Sequence, residues 1–399
     1  MKRLVLLAVL AGAWLGASAV AHADVLDVES AVRRARTRAP SIRVREASVK
    51  AATQRVDASE QWMNPEVRVG VDVPDGDPSD ARMEGAIRFK LEHPAERKRR
   101  RLDREATRAG LAADLEGSRT SVERAVRALY AEHAHATADA ELARQRVELM
   151  RSRATLMETA LTLGRVTPAQ LRRAQVQVTA AQARHRRLRR SIEHLEVETA
   201  AVLGLPETQL RAQMRSALPA LAGLPSDDDL VRRALARSPA LTQRDATVDT
   251  TRSRIRAERA KAAPWIDFLQ AGRTFPSRER RGGYEVVAGV TIPLFSLNRR
   301  GIDAARAEHN AARVRRDAAR NDLAWNVRQL ASTARDAAED ARAYRALAEA
   351  YDAEVLAADP LEANAMALDQ LDARHDALEA HATYAIAVAG LRAAGALGD

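Results

Sequence analysis

The sequence predicts a mainly α-helical protein with a small β part. The first observation is a proline-free stretch from Ala95 to Leu163, in which apolar residues recur at alternating gaps of three and four. The second is a set of four short segments in which apolar and polar residues alternate, as in strands. The third is an internal repeat, because Val231 to Pro239 resembles Val32 to Pro40 at an offset of 199 residues. Together they predict two copies of helix, hairpin, long helix, turn and helix.

The long proline-free stretch predicts one coiled-coil helix. Pro94 precedes it and the segment Gly164 to Pro168 follows it. A sustained heptad repeat implies a supercoil with a neighbouring helix, and a helix of this length would be roughly 100 Å long. The predicted seam consists of Val122, Val126, Leu129, His133, Ala136, Ala140, Ala143, Val147, Met150, Ala154, Met157 and Leu161.

The first 23 residues read as a secretory signal peptide. Lys2 and Arg3 precede an apolar run, and Ala21-His22-Ala23 forms a cleavage site with small residues at its ends. We therefore expect a mature chain that begins at Asp24. The alternative is an uncleaved membrane anchor, but no stop-transfer pattern follows the apolar run.

Composition narrows the class of protein. The chain has 399 residues, of which 46% are hydrophobic but only 3% aromatic, which suits closely packed Ala, Leu and Val helices. Cysteine is absent, which excludes disulfides, a thiol nucleophile and a zinc–thiolate site. The net charge of +10 is spread along helices and interleaved with acidic residues, so we do not expect nucleic-acid binding in an exported protein.

The first repeat is assigned to residues 24–204. A helix with a break at Pro40 runs to about Met63, and a β-hairpin covers 66–92. The long helix ends at the turn 164–168, where Gly164 suits a C-cap, Thr167 an N-cap and Pro168 the first helical position. A second heptad helix then ends at Gly204.

The second repeat is assigned to residues 226–399, after a proline-containing linker at 205–225. A helix over 227–263 is followed by a β-hairpin at 265–293 and another long helix. The turn at 357–361 repeats the first one, with Asp359 and Pro360 in the roles of Thr167 and Pro168. The last helix runs to about Ala394.

No residue set predicts catalysis or a metal site, so we expect neither an enzyme nor a cofactor. His133 and His135 point to nearly opposite sides of a helix and cannot chelate one ion. His133 and His185 each fall on a heptad seam, which favours interhelical hydrogen bonding. The basic run Arg97 to Arg101 favours a membrane-proximal or subunit-facing cluster over nucleic-acid binding.

Four strands of one chain cannot close a barrel in lipid, because the edge strands would stay unpaired. The strands must be completed by other subunits or form a small soluble sheet. The signal peptide and the paired alternating strands favour an outer membrane barrel shared by several chains.

The chain resembles the outer membrane efflux protein family, the TolC-like channels. The residues that carry the resemblance are Asn64-Pro65, Leu163 to Thr167, Leu203-Gly204, Ala263-Pro264, Ile292 to Phe295 and Ala394-Gly395, together with the repeat. Asn64-Pro65-Glu66 and Lys98 to Arg101 are similar to the heavy-metal, cobalt-zinc-cadmium branch. The resemblance implies a homotrimer with a trimeric α-barrel in the periplasm and a shared 12-stranded transmembrane β-barrel in outer membrane lipid. It also implies a passive duct that works with a periplasmic adaptor (membrane fusion protein) and an inner membrane pump.

The resemblance also implies site residues. Gly164, Arg165, Val166 and Thr167 would form the adaptor-contacting tip. Acidic residues from the second turn would form a periplasmic gate: Asp359 and Glu362 by spacing from the turn, or Asp369 and Asp372 by local pattern. Alternative functions are a channel for drug efflux or type I protein secretion, or an exported periplasmic coiled-coil adaptor or scaffold. The family's usual glycine is missing from the second turn.

Overall fold

The computed structural model describes residues 25–58, 64–73, 82–275, 282–292, 297–354 and 359–398. The predicted signal peptide and the predicted hairpin turn at 74–78 lie outside the described residues. The chain divides into two compact units. Unit 1 comprises residues up to Ile42, Ser121–Leu224 and Leu330–Ala393; unit 2 comprises Arg43–Thr120, Pro225–Gln329 and the residues from Ala394 onward.

Nine helices account for most of the described residues. They are α1 Val28–Arg38, α2 Pro40–Ala58, α3 Pro94–Thr162, α4 Pro168–Leu203, α5 Glu207–Gln213, α6 Asp227–Arg237, α7 Pro239–Ala260, α8 Arg299–Glu354 and α9 Pro360–Ala393. The longest, α3, has 69 residues and closely matches the predicted coiled-coil stretch. None of these helices is both long enough and apolar enough to cross a membrane.

Side-chain caps and glycines fix the helix ends. Thr167 and Gln170 form a capping box at the start of α4, with Pro168 in the first turn. Gly164 and Gly204 adopt φ of +69° and +62° after the ends of α3 and α4. This left-handed conformation favours glycine, so both positions end a helix as the sequence predicts.

Two helix boundaries differ from the prediction. The predicted helix over 227–263 is two helices, α6 and α7, because Pro239 lacks an N–H and the Ser238 side chain caps the second one at Leu241. The segment 205–225, for which the sequence predicts no helix, contains α5. There Leu26 and Met214 also form a parallel β-bridge.

The core of unit 1 lies where α1, α3, α4 and α5 meet. Its fully buried members include Val126, Tyr130, Leu203 and Leu210. The Tyr130 hydroxyl donates to the Leu26 carbonyl at 3.1 Å, which satisfies the one polar atom of this ring. Predicted seam residues are buried along the same helix, namely Val126, Leu129, Ala136, Ala140, Ala143 and Val147.

Unit 2 contains a four-stranded antiparallel sheet in the order β1-β2-β3-β4. The strands are β1 Glu66–Asp72, β2 Arg82–Lys90, β3 Trp265–Thr274 and β4 Gly283–Thr291. The two predicted hairpins therefore join through the β2–β3 pair, in which Ile87 lies opposite Ala271. A register shift between Ile266 and Phe268 marks a bulge in the β3–β4 pair.

Candidate functional site

One face of the sheet is an exposed apolar band. The register aligns Val67, Ile87, Ala271 and Val286 in one row across all four strands. A second row brings together Phe89, Leu269 and Ala288. The described residues leave this band uncovered, because Val286 is 80% exposed and Val67 is 69% exposed. An exposed apolar band of this extent marks a surface that meets lipid or another molecule.

Aromatic side chains stand near both ends of the strands. At the end nearest the helices, the Trp265 ring contacts His93 edge-on with centroids 4.6 Å apart, and its Nε1 donates to the Leu91 carbonyl. At the other end, Arg273 lies over the rings of Phe275 and Tyr284. Aromatic girdles at both borders of an apolar band are typical of transmembrane β-strands.

The opposite face of the sheet is polar. One of its rows contains Arg88 and Gln270, and Arg88 Nε donates to Gln270 Oε1 at 3.0 Å. The Arg88 guanidinium also lies 3.9 Å from the centre of the Phe268 ring. That ring packs on Gly289, where an added Cβ would lie 2.0 Å from Phe268 Cε1. Apolar residues on one face and charged residues on the other make the sheet amphipathic.

Both outer edges of the sheet lack a partner strand within the described residues. β1 pairs only with β2, and β4 pairs only with β3. An open edge presents unpaired N–H and C=O groups, which in a lipid environment must be satisfied by another strand.

The turn that joins α3 to α4, residues 163–167, is exposed, as an adaptor-contacting tip requires. Leu163 is 63% exposed, and Arg165 and Thr167 are exposed while Val166 is half-buried. The Arg165 N–H donates to the Ala160 carbonyl at 2.9 Å, which closes the turn after Gly164. The backbone of the turn is therefore fixed and the Arg165 side chain is exposed, while the Thr167 hydroxyl is held by its capping box with Gln170.

The four predicted gate residues, Asp359, Glu362, Asp369 and Asp372, are all exposed. Asp359 precedes α9, and its carbonyl accepts from the Ala363 N–H at 2.8 Å. Asp372 forms an ion pair with Arg146 of α3. Asp359, Glu362 and Asp369 make no ion pair with any other residue that the structure describes.

A buried polar cluster near Asp372 was not predicted from the sequence. Asp139 of α3 is only 5% exposed, and His375 Nδ1 of α9 lies 3.0 Å from its carboxylate. Arg184 of α4 lies 3.6 Å from the same carboxylate and 3.2 Å from His375 Nε2. The Asp139 carboxylate raises the pKa of His375 against the opposing effect of burial. This cluster connects three helices of unit 1.

The seam histidine His133 hydrogen-bonds to a residue outside the helices, Ser216, and not between helices as the sequence predicts. Its Nδ1 lies 2.7 Å from the Ser216 hydroxyl, and its Nε2 lies 3.8 Å from Glu196. Burial lowers the pKa of both His133 and His135. Among the described residues, no group of His, Asp and Glu side chains is placed to hold a metal ion.

The fold is that of outer membrane channel proteins. VceC, an outer membrane protein of Vibrio cholerae, superposes with a TM-score of 0.73 at 12% identity, covering 92% of this chain and 96% of VceC. CusC, known from structures of transmembrane channel formation, superposes with a TM-score of 0.71 at 16% identity, covering 93% of this chain and 92% of CusC. The predicted fold class, mainly α-helical with a small antiparallel sheet, is confirmed.

Residues 230–395 match the family model of the outer membrane efflux protein. The predicted resemblance to this family is therefore confirmed. The nickel-cobalt-cadmium resistance protein NccC of Alcaligenes xylosoxydans xylosoxydans is 28% identical over 230 residues, which make up 55% of this chain and 50% of NccC. The chain thus aligns with about half the length of this curated relative.

Proposed function

We propose that this protein is the outer membrane channel of a tripartite efflux system. It acts as a passive exit duct together with a periplasmic adaptor and an inner membrane pump. Three copies contribute four strands each to a 12-stranded barrel in the outer membrane, and their helices form a tunnel in the periplasm. We propose heavy-metal cations as the cargo, because the similarity to NccC points to metal resistance.

The amphipathic sheet with two open edges is the observation that carries this proposal. Its strands of seven to ten residues are close to the length that crosses a bilayer at a tilt. Its apolar band suits lipid and its polar face suits a water-filled lumen. A soluble scaffold would gain nothing from leaving such a band exposed, and copies of the same chain can supply the missing neighbours of β1 and β4.

The assembly can be tested by extraction and conductance. We expect the mature protein to leave the membrane only with detergent, to run as a trimer and to form pores in a planar lipid bilayer. A water-soluble monomer without pore activity would overturn the proposal and favour the periplasmic scaffold.

Closure of the sheet can be tested by cross-linking, since the chain has no cysteine of its own. Arg68→Cys on β1 combined with Glu285→Cys on β4 places one thiol on each open edge, in the same row of the polar face. A short bis-maleimide should then give a ladder that ends at the trimer. Each single variant is the control and should give no trimer.

We further propose that Gly164, Arg165, Val166 and Thr167 contact the adaptor, and that Asp359 and the acidic residues of α9 narrow the duct. The exposure of the first turn and its fixed backbone support the first assignment. The exposure of Asp359, Glu362, Asp369 and Asp372 supports the second. A ring of carboxylates favours cations and disfavours anions, which suits a cationic cargo.

A further inference from the structure

Helix α4 carries a basic face that pairs with no residue in the described part of the chain. Arg186, Arg187 and Arg190 are exposed, and their spacings of three and four residues place them side by side on the helix. They lie opposite the stripe that contains the buried Ala181. None of the three forms an ion pair with another described residue. We call these three residues the basic face.

Helix α8 carries an acidic face with the same spacing. Asp336, Glu339 and Asp340 are exposed and lie opposite the buried Ala338 and Ala341. Asp336 accepts a hydrogen bond from the Ser332 hydroxyl at 3.3 Å. Within the described part of the chain, no cation pairs with any of the three carboxylates. We call these three residues the acidic face.

In unit 1, α9 contacts both of the helices that carry these faces, α4 through Arg184 and His375 and α8 through Gln370. Asn364 Nδ2 of α9 donates to the Leu149 carbonyl of α3 at 3.0 Å, so these two helices contact each other. Gln370 Nε2 of α9 donates to the Ala348 carbonyl of α8 at 3.2 Å. No hydrogen bond or ion pair among the described residues joins α4 directly to α8.

The two faces also lie at the same height along the helices. Gln370 is level with Ala348, and α8 and α9 are antiparallel, so His375 is level with a residue about five positions earlier in α8, near 343. Arg184 of α4 contacts His375 directly. Since α4 runs parallel to α9, the basic face lies one turn further on, level with the acidic face.

Large apolar side chains flank both faces. Val176 and Val197 of α4 are 67% and 47% exposed, and Tyr344 and Leu347 of α8 are 38% and 46% exposed. Isolated charges on a solvated surface need no such neighbours. These side chains give another helix apolar surface to bury beside the charged faces.

We propose that the basic face of one copy packs against the acidic face of the next copy. The contact is head-to-tail, so repetition around an axis parallel to the helices closes a ring. The inference rests on the proposed homotrimeric channel and deepens it, because it names the surfaces that meet. Opposite charges steer α4 to α8, while α4 against α4 or α8 against α8 would bring like charges together.

Charge reversal tests this contact in the full-length protein in detergent. R186E/R187E/R190E should make the trimer dissociate at protein concentrations about tenfold higher or more than the wild type. D336R/E339R/D340R should weaken the trimer in the same way. The variant that carries all six substitutions should recover the trimer. Analytical ultracentrifugation at low and high salt measures the dissociation, and far-UV circular dichroism checks that each variant keeps its helices.

The matched control is R43E/R124E/R151E, which reverses three exposed arginines that also form no ion pair within the described residues. It should leave the trimer unchanged. A wild-type trimer that is insensitive to both triple reversals would overturn the proposed contact while leaving the channel proposal intact. A wild-type protein that is monomeric and forms no pores would instead overturn the channel proposal itself.

Discussion

Arg127 shows how single residues hold the helices of unit 1 together. This arginine of α3 is only 7% exposed, yet it pairs with Glu29 of α1 at 2.7 and 3.0 Å and with Glu123 at 3.1 Å. Arg36 of α1 pairs with the same buried Glu123 at 2.7 Å. A buried charge is tolerated only when it is paired, so each member of this network depends on the others.

Replacement of Arg127 by methionine should strongly destabilise the protein. The methionine keeps much of the side-chain volume but leaves the buried Glu123 with Arg36 alone, at a cost of about 3 kcal/mol in the free energy of unfolding. Denaturant titration of the detergent-solubilised protein measures this change. The control is Arg124→Met, an exposed position one turn earlier that forms no ion pair among the described residues. Equal stability of the two variants would contradict the proposed network.

His375 should make stability depend on pH. The Asp139 carboxylate raises the pKa of His375 above its ordinary value of 6.5, so the protonated form stabilises the fold. This contribution is complete below 6.5 and is lost as the pH rises through the higher pKa of the folded state. His375→Gln should therefore lower the melting temperature by about 2 °C at pH 6 and by less at pH 9. The exposed His194→Gln is the control, and an equal effect of His375→Gln at both pH values would contradict the assignment.

At the scale of elements, the sequence correctly predicts the helix ends and strands that depend on local residue patterns. Prolines, glycines and caps mark the ends of α3 and α4, and period-two alternation marks the strands. The short helix α5 was missed because its seven residues are held mainly by burial of Leu210 in the core, which leaves no periodic signal. The cluster of Asp139, Arg184 and His375 was missed for a related reason. Its members meet only through the relative positions of three helices, of which α9 is far from α3 and α4 in the sequence.

Two glycines should respond to alanine in opposite ways. Gly204 has φ of +62°, and an added Cβ would lie 3.1 Å from Pro40 Cδ, so Gly204→Ala should destabilise the protein by about 1–2 kcal/mol. Gly117 lies inside α3 with nothing within 4 Å of an added Cβ. Gly117→Ala should therefore stabilise it by about 0.5–1 kcal/mol. Denaturant titration measures both, and a destabilising Gly117→Ala would show that this surface is covered in the assembly.

At the scale of the whole molecule, three features remain incomplete in a single chain. The sheet has two open edges, its apolar band is exposed, and the basic and acidic faces lack partners within the described residues. Sister copies can complete all three at once. The proposed assembly therefore accounts for all three features. Each feature can be tested separately, because substitutions that alter one of them leave the other two unchanged.

The proposed gate residues of α9 should make the assembled channel selective for cations. Asp369 is exposed and forms no ion pair within the described part of the chain, whereas Asp372 pairs with Arg146 of α3. If both line the narrow part of the duct, Asp369→Asn should reduce the preference for cations without changing the helix contacts. Asp372→Asn should reduce it further, because it also leaves the Arg146 charge unopposed.

The loss of the Asp372–Arg146 pair should also loosen α9 from α3. We therefore expect Asp372→Asn to raise the single-channel conductance by at least about twofold. The double variant Asp372→Asn/Arg146→Gln should restore the charge balance of the wild type, but its conductance should remain raised, because the ion pair is still absent. Planar-bilayer recordings give the conductance, and the reversal potential in a salt gradient gives the selectivity. Glu198→Gln, an exposed carboxylate of α4, is the control. If Asp369→Asn and Asp372→Asn leave both quantities unchanged while Glu362→Gln alters the selectivity, the narrowing lies at the start of α9, near Asp359.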